Sequence, residues 1–257
     1  MTPAQAIVAK ELRSAYTSPI IYVVAAVFLL IFGLLSFMYV QAAGIRAIQL
    51  IQMQGGAAKI NLNDLVFRPI FYFSGFWILP ALLPILTMRV FAEERKLRTF
   101  ELLMTSPVGI NHIVAGKFAS VFLIYLGMLG LTGIVPVVLA MFNNFDWAPV
   151  LTGYLGLLLM GALFLAVGVL ASAVTEHQII AVLVSYGLLI LVLLLGVIGS
   201  VLGDTPVGNT ISYLSFIEHY DRLVRGLVDT KDLVYYACGI LFMLFLTHRV
   251  VESQRWK

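Results

Sequence analysis

The sequence predicts an all-α integral membrane protein with six transmembrane helices. Composition is the first reason: 61% of the 257 residues are hydrophobic and only 11% are charged, whereas a soluble domain carries about 25% charged residues. The second reason is a set of six apolar runs, nearly all long enough to cross about 30 Å of hydrocarbon as helices. The predicted spans are residues 20–40, 70–88, 118–142, 148–174, 179–203 and 233–250. They form a single transmembrane domain over residues 1–257, and the lone Cys238 excludes a disulfide framework.

The first 18 residues are predicted to form an amphipathic helix lying in the membrane interface. Its apolar positions recur at helical spacing and are Ala4, Ile7, Val8, Leu12, Ala15 and Tyr16. The first span follows directly. Its 21 residues exceed the roughly 7–15 of a signal-peptide core, so we expect the segment to be retained.

The second span contains Pro80 and Pro84, each of which removes a backbone donor and could let the helix bend. An aromatic group stands at the beginning of this span and includes Phe73, Phe76 and Trp77. These side chains could line a path for an amphiphilic substrate. They could equally be the interfacial aromatic residues that flank many spans.

The loop at 89–117 carries the densest charge in the chain, with seven charged residues between Arg89 and Glu101. Leu97, Phe100, Leu103 and Met104 have helical spacing, which predicts a charged amphipathic helix projecting from the membrane. A solvated connector is the alternative, because charge runs often only solvate a helix. A connector needs only a few residues, however, and this segment keeps an apolar face.

A second amphipathic segment is predicted between the fifth and sixth spans, within residues 204–232. Its apolar stripe consists of Tyr213, Phe216, Tyr220, Leu223, Val224 and Leu227, and Ser215 with Glu218 resembles a capping box. We expect a short helix dipping into the outer interface. Glu218, His219 and Asp221 are interpreted as its wet face rather than as a metal site, so no metal is predicted.

Lys and Arg set the orientation. With the N-terminus inside, ten of them lie in inner segments and six in outer loops, which places both termini in the cytoplasm. The sequence Gly199-Ser-Val-Leu-Gly203 is a small-residue motif that permits close helix contact, so both glycines are candidate dimer contacts.

Several chemistries are excluded by what the apolar runs lack. Up to Thr247 in the sixth run, they contain no Asp, Glu, Lys, Arg or His, which argues against a proton-coupled carrier, an ion pump or a voltage sensor. The stretch Gly109–Lys117 resembles a phosphate loop, but its glycine spacing is wrong and Phe118 replaces the Ser or Thr that binds magnesium. We therefore expect no catalytic residue, no cofactor and no ATP site in this chain.

A family resemblance enters through the loop. Glu93-Glu94-Arg95-Lys96, Thr99-Phe100-Glu101-Leu102-Leu103, Thr105-Ser106-Pro107 and Gly116-Lys117 resemble the cytoplasmic loop of type-2 ABC exporter permeases, with Arg98 where that pattern often has glycine. Residues 215–236 and Ala9-Lys10-Glu11-Leu12 resemble the same family, nearest to its gliding-motility and nitrous-oxide-reductase-maturation permeases. The resemblance implies a six-span permease that pairs with a second permease copy or paralogue through its first and fifth spans. It also implies two cytoplasmic ATPase subunits that bind the ATP.

The leading hypothesis is therefore a permease in the bacterial cytoplasmic membrane that couples ATP hydrolysis by a partner to export or mechanotransmission. The coupling residues are assigned as Glu93, Glu94, Arg95, Arg98 and Glu101 for polar contacts, Leu97, Phe100 and Leu103 for a packing face, and Glu176 with His177 for a minor second contact. A non-transporting membrane scaffold of a motility or secretion complex is the alternative. A membrane-embedded enzyme is disfavoured, and the substrate and any extracytoplasmic partner are not specified by the sequence.

Overall fold

A computed structural model describes residues 3–54, 61–101, 108–203, 205, 208 and 215–254. Within those ranges every assigned element is helical, and six helices are long and apolar enough to cross a membrane. The predicted all-α class and the count of six spans are thus confirmed. The spans are span 1 (Pro19–Gln54), span 2 (residues 63–87), span 3 (Ile110–Thr132 continued by Ile134–Phe142), span 4 (Trp147–Val174), span 5 (Gln178–Leu202) and span 6 (Thr230–Ser253).

Three further helices lie outside the spans: the N-terminal helix (Pro3–Thr17), the loop helix (Ala92–Lys96) and the short helix (Phe216–Val224). Several spans run beyond their apolar cores, because backbone hydrogen bonding continues where hydrophobicity stops. Span 6 has 24 residues, which is about 36 Å at 1.5 Å per residue. The whole helix is therefore long enough to cross the hydrocarbon, whereas its apolar core alone is too short.

Span 2 is built from four consecutive helical segments, two of them π-helical: Asn63–Phe67, Arg68–Phe73, Ser74–Ile78 and Leu79–Thr87. Each π segment ends two residues before a proline, Pro69 or Pro80. A proline ring clashes with the carbonyl four residues earlier and donates no hydrogen bond, and a wider π turn accommodates both defects. Pro80, one of the two prolines expected to let this span bend, thus follows a π segment, whereas Pro84 lies inside the last α-helical segment.

Span 4 forms the centre of the bundle and contacts spans 2, 3, 5 and 6. Glycines permit the closest approaches: a Cβ at Gly168 would collide with Thr87 of span 2, and one at Gly161 would collide with the Tyr125 ring of span 3. The Tyr125 hydroxyl donates to the Leu157 carbonyl at 2.6 Å. Span 4 is therefore held to its neighbours by contacts between its backbone and their side chains that leave little room for sliding.

The two ends of the bundle differ. At one end, here named the loop end, the N-terminal helix lies against span 3, and Gln254 Nε2 at the end of span 6 donates to the Ala173 carbonyl at the end of span 4. At the far end, the short helix packs on spans 4 and 5, and Asn63 Nδ2 donates to the Asp146 carbonyl at 3.1 Å. Both ends of the described chain therefore lie on the same side of the bundle.

Candidate functional site

The loop helix begins after a turn at residues 88–91 and has a favourable charge order. Glu93 and Glu94 stand in its first turn and Arg95 and Lys96 in its last, which matches the helix dipole at both ends. The helix stops when Arg98 adopts a left-handed backbone with φ of 57°. The Thr99 amide then donates to the Glu94 carbonyl at 3.0 Å and the Arg98 amide to the Arg95 carbonyl at 3.1 Å. This is a Schellman cap, whose left-handed position is usually glycine.

Lys117 of span 3 is the centre of the site. Its side chain is 1% exposed, and its Nζ donates to Glu11 Oε1 at 3.0 Å and to the Val90 carbonyl at 2.6 Å. Glu94 Oε2 lies 3.0 Å from the same ammonium, and the Phe91 ring centroid lies 5.1 Å away. One buried cation thus ties span 3, the N-terminal helix and the loop helix together.

Ser172 of span 4 makes the second set of contacts. Its hydroxyl accepts the amides of Phe91 at 3.0 Å and Ala92 at 3.1 Å, and donates to the Met88 carbonyl at 3.0 Å. Arg95 Nη1 donates to the Ala173 carbonyl at 2.9 Å. The turn between span 2 and the loop helix is therefore bonded to span 4. We name these contacts of Lys117, Glu11, Glu94, Ser172 and Arg95 the loop brace.

The outer surface of the loop is formed by residues 96–99. Lys96, Leu97, Arg98 and Thr99 are all exposed, and Leu97 is 64% exposed. Phe100 is buried, although the sequence predicted Leu97 and Phe100 on one helical face. That prediction of a continuous helix is wrong, because the chain reverses at Arg98 and helical conformation resumes only at Phe100.

The predicted coupling residues consequently separate into two groups. Glu94, Arg95 and Phe100 point inward, whereas Leu97, Arg98 and Glu101 are exposed. Glu93 is half-exposed, with its Oε2 4.0 Å from Arg89 Nε. Leu103 lies outside the described residues.

Glu176 and His177 are exposed in the turn between spans 4 and 5 at the same end. The loop helix contacts span 5, whose first residue follows that turn. The two predicted contact regions therefore belong to one end of the molecule.

Three contributors to the loop brace were not assigned a role from the sequence: Lys117, Glu11 and Ser172. The sequence places Lys117 in a phosphate-loop pattern and in the Gly-Lys pair of the family resemblance, just before the predicted third span at 118–142. Its burial follows only from the structure, in which span 3 begins at Ile110. Nothing in the sequence singles out Ser172 among the small residues of span 4.

The other assigned residues lie elsewhere. Gly199 is buried within the chain, whereas Gly203 is exposed just after span 5. Phe73 and Trp77 face outward, but Phe76 packs against Tyr220 and Phe216 of the short helix at centroid distances of 5.6 and 6.3 Å. The three aromatic residues therefore do not share one surface.

The short helix is fixed by a buried polar cluster. Ser215 caps it by accepting the Ile217 amide, as the sequence suggested. His219 and Asp232 are fully buried, with His219 Nδ1 2.6 Å from Asp232 Oδ1, which also accepts from Arg222 Nη2 at 2.6 Å. His219 was predicted on a wet face. That interpretation is wrong, because an acidic partner on span 6 allows it to be buried.

Glu218, His219 and Asp221, the three residues considered as a metal cluster, have different surroundings in the structure. Glu218 is exposed and Asp221 pairs with Arg225 at 2.7 Å. In the part of the chain that the structure describes, no group of three or more His, Cys, Asp or Glu side chains could hold a metal ion.

Tyr220 completes the attachment of the short helix. Its hydroxyl donates to the Phe71 carbonyl of span 2 at 2.6 Å, and its ring lies where a Cβ on Gly75 would stand. Burial raises the pKa of the Tyr220 hydroxyl well above its ordinary value, so it remains a donor at all accessible pH.

Six spans, four of them packed around span 4, with an internally braced loop at one end, define a multi-pass α-helical membrane protein. A family model described as ABC-2 family transporter protein matches residues 5–251, and the chain therefore belongs to that family. No curated protein matches the chain. Membership confirms the family resemblance of the loop, while the nearer likeness to gliding-motility and nitrous-oxide-reductase-maturation permeases stays a prediction.

Proposed function

We propose that this chain is the permease subunit of an ABC transporter, and that it couples ATP hydrolysis by a separate cytoplasmic ATPase to export or mechanotransmission. Membership of the ABC-2 transporter family supports the first part, because this family supplies membrane components that are typically not catalytic. The proposal places the chain in the bacterial cytoplasmic membrane with the loop end in the cytoplasm. The excess of Lys and Arg in the segments of that end supports the orientation.

The observation that carries the coupling proposal is an exposed surface on a rigid base. Residues 96–99 face outward, while the residues immediately before them are bonded to span 4 and to span 3. A force applied to the exposed segment therefore reaches spans 3 and 4 and the N-terminal helix together. Span 2, which leads directly into this loop, is only one of the connected elements.

The partners proposed are two ATPase subunits that bind the ATP and a second permease copy or paralogue. Spans 1 and 5 carry many exposed large apolar side chains, which is consistent with pairing through them but equally with lipid contact. Gly203 remains a candidate contact because it is exposed. Gly199 is already covered by its own chain and is less suited to that role.

Copurification of the ATPase tests the coupling surface. Replacing Leu97 by Asp places a charge on an exposed side chain, so the fold should survive while the ATPase interface loses an apolar contact. We expect L97D to insert normally but to lose the copurifying ATPase or its coupled activity.

Leu227→Asp is the matched control, because Leu227 is a similarly exposed leucine, 59% against 64%, at the far end outside the spans. If L97D retains its ATPase and works like the wild type, the coupling surface is assigned wrongly. Reversal of Glu94 is a less clean test, since it also breaks the contact with Lys117.

A further inference from the structure

A deep apolar groove lies between spans 5 and 6. Both spans pack on span 4, which forms the floor of the groove through residues such as Phe164, and Phe216 of the short helix also lines it. Its volume is about 670 Å³, within the range of about 300–1,000 Å³ typical of sites for small ligands. The groove belongs neither to the loop brace nor to the surface proposed to bind the ATPase.

One face of span 6 forms a wall with an ordered composition. Lys231, Val234, Cys238 and Phe242 all line the groove and follow one another at helical spacing. Lys231 is exposed at the beginning of the span, beside Thr230, and every later member of this series is apolar or a thiol. The wall therefore has one cationic end and one apolar end.

The dimensions match a single lipid chain. From Lys231 to Phe242 the helix rises about 17 Å, close to half of the roughly 30 Å hydrocarbon thickness of a bilayer. A lysine at the start of a span reaches the level of the headgroups. Basic residues that border grooves between transmembrane helices favour anionic headgroups.

We propose that this groove binds one acyl chain of an anionic glycerophospholipid of the surrounding bilayer, with the headgroup held at Lys231 and Thr230. The apolar walls select a hydrocarbon chain, and the Lys231 ammonium at the rim selects a negative headgroup over a zwitterionic one. The proposal is independent of ATPase coupling, because its ligand comes from the membrane itself.

Photocrosslinking in nanodiscs tests the site with the full-length protein. Phosphatidylglycerol and phosphatidylcholine carrying the same diazirine-labelled acyl chain are compared, and the labelled peptides are mapped by mass spectrometry. We expect phosphatidylglycerol to label residues of spans 5 and 6 that line the groove, and phosphatidylcholine to label them less.

Two variants separate the parts of the site. Lys231→Gln should lower the preference for phosphatidylglycerol about fivefold, as expected for one basic residue at an anionic headgroup. Cys238→Trp should fill the groove and suppress labelling, whereas Ala237→Trp, at an exposed neighbour that does not line it, should leave labelling intact.

Three results would overturn the proposal. The first is labelling spread evenly over all spans, and the second is equal labelling by both lipids. The third is crosslinking of the groove to a second copy of the chain instead of to lipid. If Cys238→Trp does not fold, the Lys231→Gln comparison still decides whether the headgroup is recognised.

Discussion

At the residue scale, Lys117 explains how the loop of this chain can be both highly charged and firmly held. An ammonium that is 1% exposed would be costly to bury alone, but two carboxylates, a carbonyl and an aromatic ring surround it. Glu94 also lies 3.6 Å from Lys10, whose side chain is 66% exposed. The same carboxylate thus contacts one buried and one exposed cation.

Substitution of these two lysines should have very different effects. Lys117→Met leaves Glu11 and Glu94 without their shared cation and should destabilise the protein by about 3 kcal/mol. This value is the lower end of the range for breaking a buried ion pair, because both carboxylates are partly exposed. Lys10→Gln should cost less than about 1 kcal/mol, as for other exposed pairs. Thermal unfolding in detergent, with a double-mutant cycle to Glu94→Gln, measures both. Equal effects of the two substitutions would contradict the loop brace.

Arg98 occupies a backbone conformation that suits glycine. The short helix ends in the same Schellman geometry, and there the left-handed position is Gly226 with φ of 88°. A non-glycine residue in this conformation costs roughly 1–2 kcal/mol. This is a physical reason for the glycine that the family pattern often has in place of Arg98.

Arg98→Gly should therefore stabilise the loop, by up to about 1 kcal/mol because glycine also gains entropy in the unfolded chain. Gly226→Ala is the reciprocal control and should destabilise the far end. Differential scanning fluorimetry of the purified variants reports the sign of each change. A lower unfolding temperature for Arg98→Gly would show that the Arg98 side chain contributes more than its backbone strain costs.

At the scale of elements, Ser172 bonds the turn that leaves span 2 to span 4. Its hydroxyl satisfies two amides and one carbonyl in the turn that leaves span 2. These groups are buried, and an unsatisfied buried donor costs about 1–3 kcal/mol. The Ser172 side chain therefore holds this turn to span 4, beside the bond from Arg95 to the Ala173 carbonyl.

Ser172→Ala should free the turn between span 2 and the loop helix from span 4, without unfolding the spans. We expect amide exchange at Phe91 and Ala92 to accelerate tenfold or more, as follows from a loss of about 1.4 kcal/mol or more. Ser36→Ala is a suitable control, because within the described residues the buried Ser36 hydroxyl donates to the Phe32 carbonyl of its own helix and to no other group. Hydrogen exchange with mass spectrometry resolves the segment. Unchanged exchange there would mean that Ser172 does not hold the turn.

At the scale of the whole molecule, six spans place the N-terminal helix, the loop and the end of span 6 at one end and the short helix at the other. On a Cys238→Ala background, single cysteines at Lys96 and at Glu218 should therefore react with an impermeant thiol reagent from opposite sides of the membrane. Both side chains are exposed, so reactivity reports topology rather than burial. A cysteine at position 176 should react from the same side of the membrane as the cysteine at position 96. If the cysteines at positions 96 and 218 react from the same side of the membrane, the six-span arrangement is contradicted.

The sequence by itself determined the class of this protein, because hydrophobicity over 20 residues and the absence of internal charge are local properties that a bilayer converts directly into helices. It also located the charged loop, the second amphipathic helix with its Ser215 cap, and the family. Only the tertiary structure decided which charges face inward. Glu94 and Arg95 belong to the same charged run as Lys96 and Arg98, and the sequence pattern does not distinguish the two pairs. The chain reverses at Arg98, and Lys117 and Ser172 lie on distant spans. Contacts with those spans turn Glu94 and Arg95 toward the bundle. His219 was misjudged for the same reason, since burial of a polar group depends on a partner, here Asp232, that chain folding brings from another element.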